Sequence, residues 1–168
     1  MNSAMGSKYD EEGNETDWWT AEFLQQFEQR QADFVVRYNN YTLPDVDSVI
    51  GALTLDENIV DEIGIKAAYK VYQNFRKTEA HPFKVPIEFS SWSPNQLFFL
   101  GYAQGESTTY TTKSLQHQLK DEDSPAKFCV NGPLSVMPQF AEAYNCPVGF
   151  PMNLPRVTCK SLNHPPPG

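Results

Sequence analysis

Trp19, Phe23, Phe27, Phe34 and Tyr38 fall on one face of a helix, because their spacings follow a 3.6-residue period. An aromatic stripe of that length needs other elements to bury it, so the chain is expected to be a packed, mainly α domain with little strand. The helix is expected from Trp18 to about Tyr38, with Thr16 or Asp17 as its N-cap. A second long helix is expected from Leu55 to about Phe75, with Ile59, Ile63 and Ala67 on one face and Tyr69 and Tyr72 beside it. Gly64 weakens that helix by about 1 kcal/mol relative to alanine, so its presence points to close packing against another backbone. Ser93 followed by Pro94 marks the start of a third helix carrying Leu97, Phe98, Leu100, Tyr102 and Ala103. A short polar helix is expected from Thr112 to Lys120, and an amphipathic one from Ser135 to Tyr144.

Loops separate these elements. Gly6 to Asn14 is glycine-bearing and acidic, Asn39 to Asp47 carries Pro44, and His81 to Pro86 is broken by proline. Lys127 to Asn131 reads as extended and is ended by Gly132-Pro133. From Asn145 the chain is expected to be irregular, with a proline-rich tail over 160–168 that closes in Pro165-Pro166-Pro167. The chain has no internal repeat, and its length fits one domain over 1–168. At 40% hydrophobic and 13% aromatic residues it has ample core material, since a domain of about 150 residues buries roughly 70% of its unfolded surface.

A formal charge of −8 argues against nucleic acid as a partner and against electrostatic docking on anionic membranes. No apolar run reaches the ~18 residues of a transmembrane segment. Met1 to Glu12 shows no apolar core of a signal peptide. Asn14-Glu15-Thr16 and Asn40-Tyr41-Thr42 are sequons, which matter only in a secreted protein. The three cysteines, Cys129, Cys146 and Cys159, leave at least one thiol without an internal partner. Three reduced thiols, or a Cys146–Cys159 pair with its loop folded back, both fit.

The chemistry concentrates at Glu57 and Asp61. Four residues apart on a helix, they sit one turn apart on the same face and repel each other. Such a pair asks for a metal ion, a basic side chain or open water. Asp56 and Glu62 flank it, so a solvated acidic face also fits. His81, His117 and His164 share no helix face, and the sequence holds no H-E-x-x-H, no serine triad at a telling spacing, no phosphate loop and no CxxC.

Several segments in order resemble the neprilysin and endothelin-converting-enzyme family of zinc metallopeptidases. Gly6-Ser7-Lys8-Tyr9-Asp10-Glu11-Glu12-Gly13-Asn14 followed by Asp17-Trp18-Trp19-Thr20 is similar to the stretch after that family's zinc-binding helix. Leu55-Asp56-Glu57-Asn58-Ile59-Val60-Asp61 resembles its E-N-x-x-D motif, with Lys66-Ala67-Ala68-Tyr69 at the family's spacing. Gln96-Leu97-Phe98-Phe99-Leu100-Gly101-Tyr102-Ala103-Gln104 resembles its Q-L-F-F-x-x-x-A-Q helix. Ser124-Pro125-Ala126-Lys127-Phe128 with Val130-Asn131-Gly132 resembles its H-S-P-x-x-F-R-V-N-G segment, and Phe140 to Pro147 with Pro151-Met152-Asn153 its C-terminal end.

The resemblance implies the C-terminal portion of a zincin-like catalytic domain. Glu57 matches the third zinc ligand, and Asp61 matches the acid that orients and charges a zinc-binding histidine. It implies peptide substrates, zinc as cofactor, and an extracellular or membrane-anchored setting. The chemistry would be attack of a zinc-activated water on a peptide carbonyl.

Departures from the pattern argue against activity in this chain alone. The family's H-E-x-x-H lies upstream of the position of Tyr9 and is not in this sequence, so two zinc ligands and the general base are missing. Catalytic zinc takes three protein ligands plus water, so stable zinc is not expected here. Asp123 stands where the family has the histidine that stabilises the transition-state oxyanion, and an anion there repels the developing charge. Cys129 stands where the family has an arginine, which removes a permanent bidentate donor. Ile63 stands at a family glycine. The family cysteine that would pair with Cys159 is replaced at Asp33, and the partner of Cys146 lies in the missing N-terminal portion. The resemblance thus leaves a Cys146–Cys159 bridge as the remaining internal pairing. The expected product is a truncated metalloendopeptidase-like domain without catalysis, or alternatively a pseudoenzyme acting as a binding module, or a degenerate fragment. Without the N-terminal portion, which is a natural partner, the stripe from Trp19 to Tyr38 is expected to be partly exposed.

Overall fold

The computed structural model describes residues 6, 8–78 and 85–154. Among the described residues six α-helices follow in order: α1 (Ala21–Asn39), α2 (Leu55–Thr78), α3 (Pro94–Gly105), α4 (Thr112–Gln118), α5 (Ala126–Leu134) and α6 (Pro138–Tyr144). A single 3₁₀ turn, Ile87–Phe89, precedes α3. Among the described residues β-pairing is confined to isolated bridges, Tyr9 with Glu15 and Thr42 with Ser48, as the mainly α expectation requires.

Caps set the helix starts. Thr20, rather than Thr16 or Asp17, caps α1: its Oγ1 accepts the Phe23 N–H at 3.2 Å, so Trp18 and Trp19 stay outside the helix. Ser93 caps α3 with Pro94 at its first position, as expected. The Ser93 hydroxyl accepts the Gln96 N–H, and the Gln96 side chain accepts the Ser93 N–H, which completes a capping box. The expected helix from Ser135 starts three residues later, because Pro138 opens α6 and Ser135–Met137 form the corner behind it.

The main correction concerns Lys127 to Asn131, which is helical in α5 rather than extended. Gly132-Pro133 reads as a breaker, yet both residues lie inside the last turn of α5. Proline there cannot donate to the carbonyl four residues back, which belongs to Cys129. The Tyr102 hydroxyl of α3 donates to that carbonyl instead, at 2.8 Å. Tertiary contact therefore supplies the bond that the sequence omits.

Two apolar clusters hold the layers together. In the first, Tyr38 at the end of α1 packs with Leu43, Val49, Leu119 and Phe128, and Phe34 and Tyr41 cover it. In the second, Ile65 and Tyr69 of α2 meet Phe99 of α3, Leu134 and Met137. Stacked and edge-on rings, Tyr69 on Phe99 at 5.1 Å and Phe99 on Phe140 at 5.4 Å, join α2, α3 and α6. α5 thus lies against α2, with α1 on the same helix and α6 behind α3.

Close approach occurs at Gly51, by the Val35 backbone, and at Gly132, by the Tyr38 side chain, not at Gly64. A Cβ on Gly64 would meet nothing within 4 Å, whereas one on Gly51 would lie 2.4 Å from the Val35 carbonyl oxygen. The aromatic stripe of α1 divides. Phe34 and Tyr38 enter the core, Phe27 is half-buried, and Phe23 at the other end remains exposed. Among the described residues Cys129 and Cys146 form no disulfide; Cys159, and with it the Cys146–Cys159 bridge, lies outside the described residues, as does the tail from 155 onward.

Candidate active-site face

The site is built on the first two turns of α2. Thr54 precedes the helix, Asp56 and Glu57 occupy its first turn where acids favour the helix dipole, and Asp61 follows one turn after Glu57. Between the acids stands Asn58, 1% exposed. Its Nδ2 donates to the Thr54 hydroxyl at 2.7 Å, and its Oδ1 accepts the Ser124 hydroxyl at 2.7 Å. That second bond brings the segment containing Asp123 against the acid face.

Asp61 is partly buried, and its carboxyl is pushed up to about 6. Burial is the largest cause; a hydrogen bond with the Cys129 thiol opposes it, and the negative charges of Glu106, Glu57 and Asp123 add to it. The Cys129 thiol is pushed up to about 12, first by burial and then by the Asp61 charge. It also reaches the Ser124 carbonyl at 3.1 Å. Its single proton therefore serves one acceptor or the other. The Tyr102 hydroxyl is likewise shifted upward, by burial and then by Asp61. The neighbours that perturb Asp61 are thus a thiol and three carboxylates.

Arg37 and Lys66 serve a different acid. Glu62, a neighbour of the pair and 9% exposed, accepts from Arg37 of α1 through one oxygen and from Lys66 through the other. Arg37 in turn lies over the Phe34 ring at 4.6 Å. The expectation of a solvated acidic face therefore fails at Glu62, which is a buried tie between α1 and α2. Lys66, four residues after Glu62, was the available signal for that role.

Of the site residues expected from sequence, Asp61 and Asp123 lie in one electrostatic neighbourhood with Glu57. Sequence reasoning passed over Asn58, Ser124, Tyr102 and Glu106. The proximity of Glu106, at the C-cap of α3, follows only from how α3 packs beside α2. The donor set does not suit zinc by itself. Among the described residues no group of three or more histidine, cysteine, aspartate or glutamate side chains is placed to hold a metal ion. No step through a metal is derived from these residues.

Comparison with known proteins agrees with the geometry. The family model described as "Peptidase family M13" matches residues 3–159. Endothelin-converting enzyme 1 of Rattus norvegicus is 41% identical over 158 residues, which cover 93% of this chain and 20% of that protein. The endothelin-converting enzyme homolog of Locusta migratoria is 39% identical over 150 residues, covering 89% of this chain and 20% of the relative. Among solved structures, the zinc metalloprotease ZMP1 of Mycobacterium tuberculosis in its open state superposes with a TM-score of 0.74 at 29% identity, over 89% of this chain and 24% of that one. PepO from Lactobacillus rhamnosis HN001 gives a TM-score of 0.68 at 27% identity, over 88% of this chain and 21% of that one. The chain spans about a fifth of the length of the curated relatives it matches. With its helical architecture and its E-N-x-x-D face on α2, the chain belongs to peptidase family M13.

Proposed function

We propose that this chain forms the carboxylate side of a neprilysin-type zinc peptidase site and does not hydrolyse peptides by itself. In this reading Glu57 occupies the position of a zinc ligand and Asp61 that of the acid behind a zinc-binding histidine. Peptides are the substrate class, and the natural complement is the domain portion that carries H-E-x-x-H. An extracellular or membrane-anchored setting goes with that reading.

The observation that carries the inactive reading is the charge around Asp61. Glu57, Glu106 and Asp123 all act on it, and the neighbour that hydrogen-bonds it is a thiol. An oxyanion forming beside Asp123 would meet negative charge where peptide hydrolysis calls for a donor. The 168 residues supply no H-E-x-x-H to offset this. A non-catalytic binding module is favoured over a degenerate fragment, because a capping box, two apolar clusters and a buried ion-paired Glu62 are all present.

Metal content is the direct test. After exposure to zinc and dialysis, the purified chain is expected to retain well under one equivalent by atomic emission and to leave a quenched fluorescent peptide uncut. One retained equivalent together with cleavage of the peptide would overturn this assignment.

A further inference from the structure

We propose that Asn58 is a positioning residue, whose side-chain amide clamps the Asp123–Pro125 turn onto the acid face of α2 through Ser124. This deepens the proposed reading of that face and rests on it only for its catalytic meaning. The clamp itself is a matter of two hydrogen bonds in the structure.

Asparagine is a poor residue for a helix interior, and a buried one is worse unless its amide is satisfied. Asn58 is 1% exposed, and both ends of its amide are used. Nδ2 donates to Thr54, itself 2% exposed, and Oδ1 accepts from Ser124, also 2% exposed. The two 2.7 Å bonds orient the amide uniquely, because the nitrogen can only donate and Ser124 must donate to the oxygen. The bond to Ser124 joins residues 66 apart in sequence.

Ser124 sits at the entry to α5. The residue before it is Asp123. The residue after it, Pro125, receives through its carbonyl the Phe128 N–H at 2.6 Å and the Cys129 N–H at 3.2 Å. The Ser124 carbonyl also faces the Cys129 thiol at 3.1 Å. Holding the Ser124 hydroxyl therefore fixes Asp123 and the first turn of α5 together, and with that turn the thiol against Asp61. In an M13 site, the same bond would set the spacing between a metal-ligand position and the residue facing the oxyanion.

The two described free cysteines give a ratio that separates a clamp from general loosening. Cys129 lies on α5 beside Asp61, whereas Cys146 follows α6. Alkylation at pH 8 with iodoacetamide, read by peptide mass in the full chain, gives both rates at once. Ser124→Ala and Asn58→Ala are each expected to raise the rate at Cys129 relative to Cys146 by about tenfold, as the thiol gains access and ionises more readily. Ser124→Thr keeps the hydroxyl and is expected to return the ratio to that of the parent. An unchanged ratio in both alanine variants overturns the clamp. So does an equal rise at both cysteines, or a rise in Ser124→Thr as large as in Ser124→Ala. Neither zinc nor peptidase activity enters this measurement, so its failure is distinct from a failure of the proposed function.

Discussion

Replacing Gly132 with alanine should lower the stability of this domain by about 3 kcal/mol, near the upper end for a single methyl group. The new Cβ would lie 2.2 Å from the Tyr38 hydroxyl oxygen and 2.6 Å from the Cζ to which it is attached. Tyr38 cannot swing aside. It is fully buried in the first apolar cluster and packs edge-on against Tyr41 with ring centres 5.2 Å apart. Either α5 or the end of α1 must shift, and α5 carries Cys129. A drop of about 10 °C in melting temperature is the expected reading for a domain of this size. The partner variant should move the other way. The Tyr38 hydroxyl is buried with no hydrogen-bond partner among the described residues, so Tyr38→Phe is expected to raise stability by about 1 kcal/mol. A Gly132→Ala protein that melts with the parent would show that the glycine is not needed for the approach of α5 to α1.

The second large effect depends on pH. Asp61 ionises near 6 in the folded chain, above its ordinary value of 3.8. As pH rises from about 4 to 6, the unfolded chain releases this proton before the folded chain does. The stability contributed by protonated Asp61 is therefore present below about 4 and lost as pH passes through about 6. The displacement corresponds to at most about 3 kcal/mol, and solvent screening at a partly exposed carboxyl reduces the expected fall to about 2 kcal/mol. Stabilities from urea unfolding at pH 3.5 and 7.5 should show that fall in the parent, and Asp61→Asn should lack it. If the two proteins keep the same pH profile, Asp61 is not the group responsible. Cys129→Arg would place a permanent cation beside Asp61. It should bring the Asp61 ionisation down from about 6 toward the ordinary carboxylate range, as read by carboxyl NMR shifts.

How far the sequence could be read depended on whether its signals were local. Ser93 and Pro94 announced α3 because a capping box and a first-turn proline act within four residues. Glu57 and Asp61 could be paired in advance because helical spacing is local too. Lys127 to Asn131 misled because the bond that rescues the last turn of α5 comes from Tyr102, which is distant in sequence. Glu62 misled for the same reason: its Arg37 partner stands 25 positions earlier, on another helix. Gly64 looked like a point of close approach and Gly132 like a breaker, and their true settings depend on which helix lies opposite.

The proline in α5 carries a consequence for the order of assembly. A helix whose carbonyl at Cys129 is served by Tyr102 cannot finish its own ladder in isolation. A peptide spanning only α5 should therefore fray at its C-terminal turn, and the turn should form only after α3 has docked. A side-chain hydroxyl of α3 that completes the last turn of α5 ties the melting of that turn, which follows the Cys129 thiol, to the docking of α3.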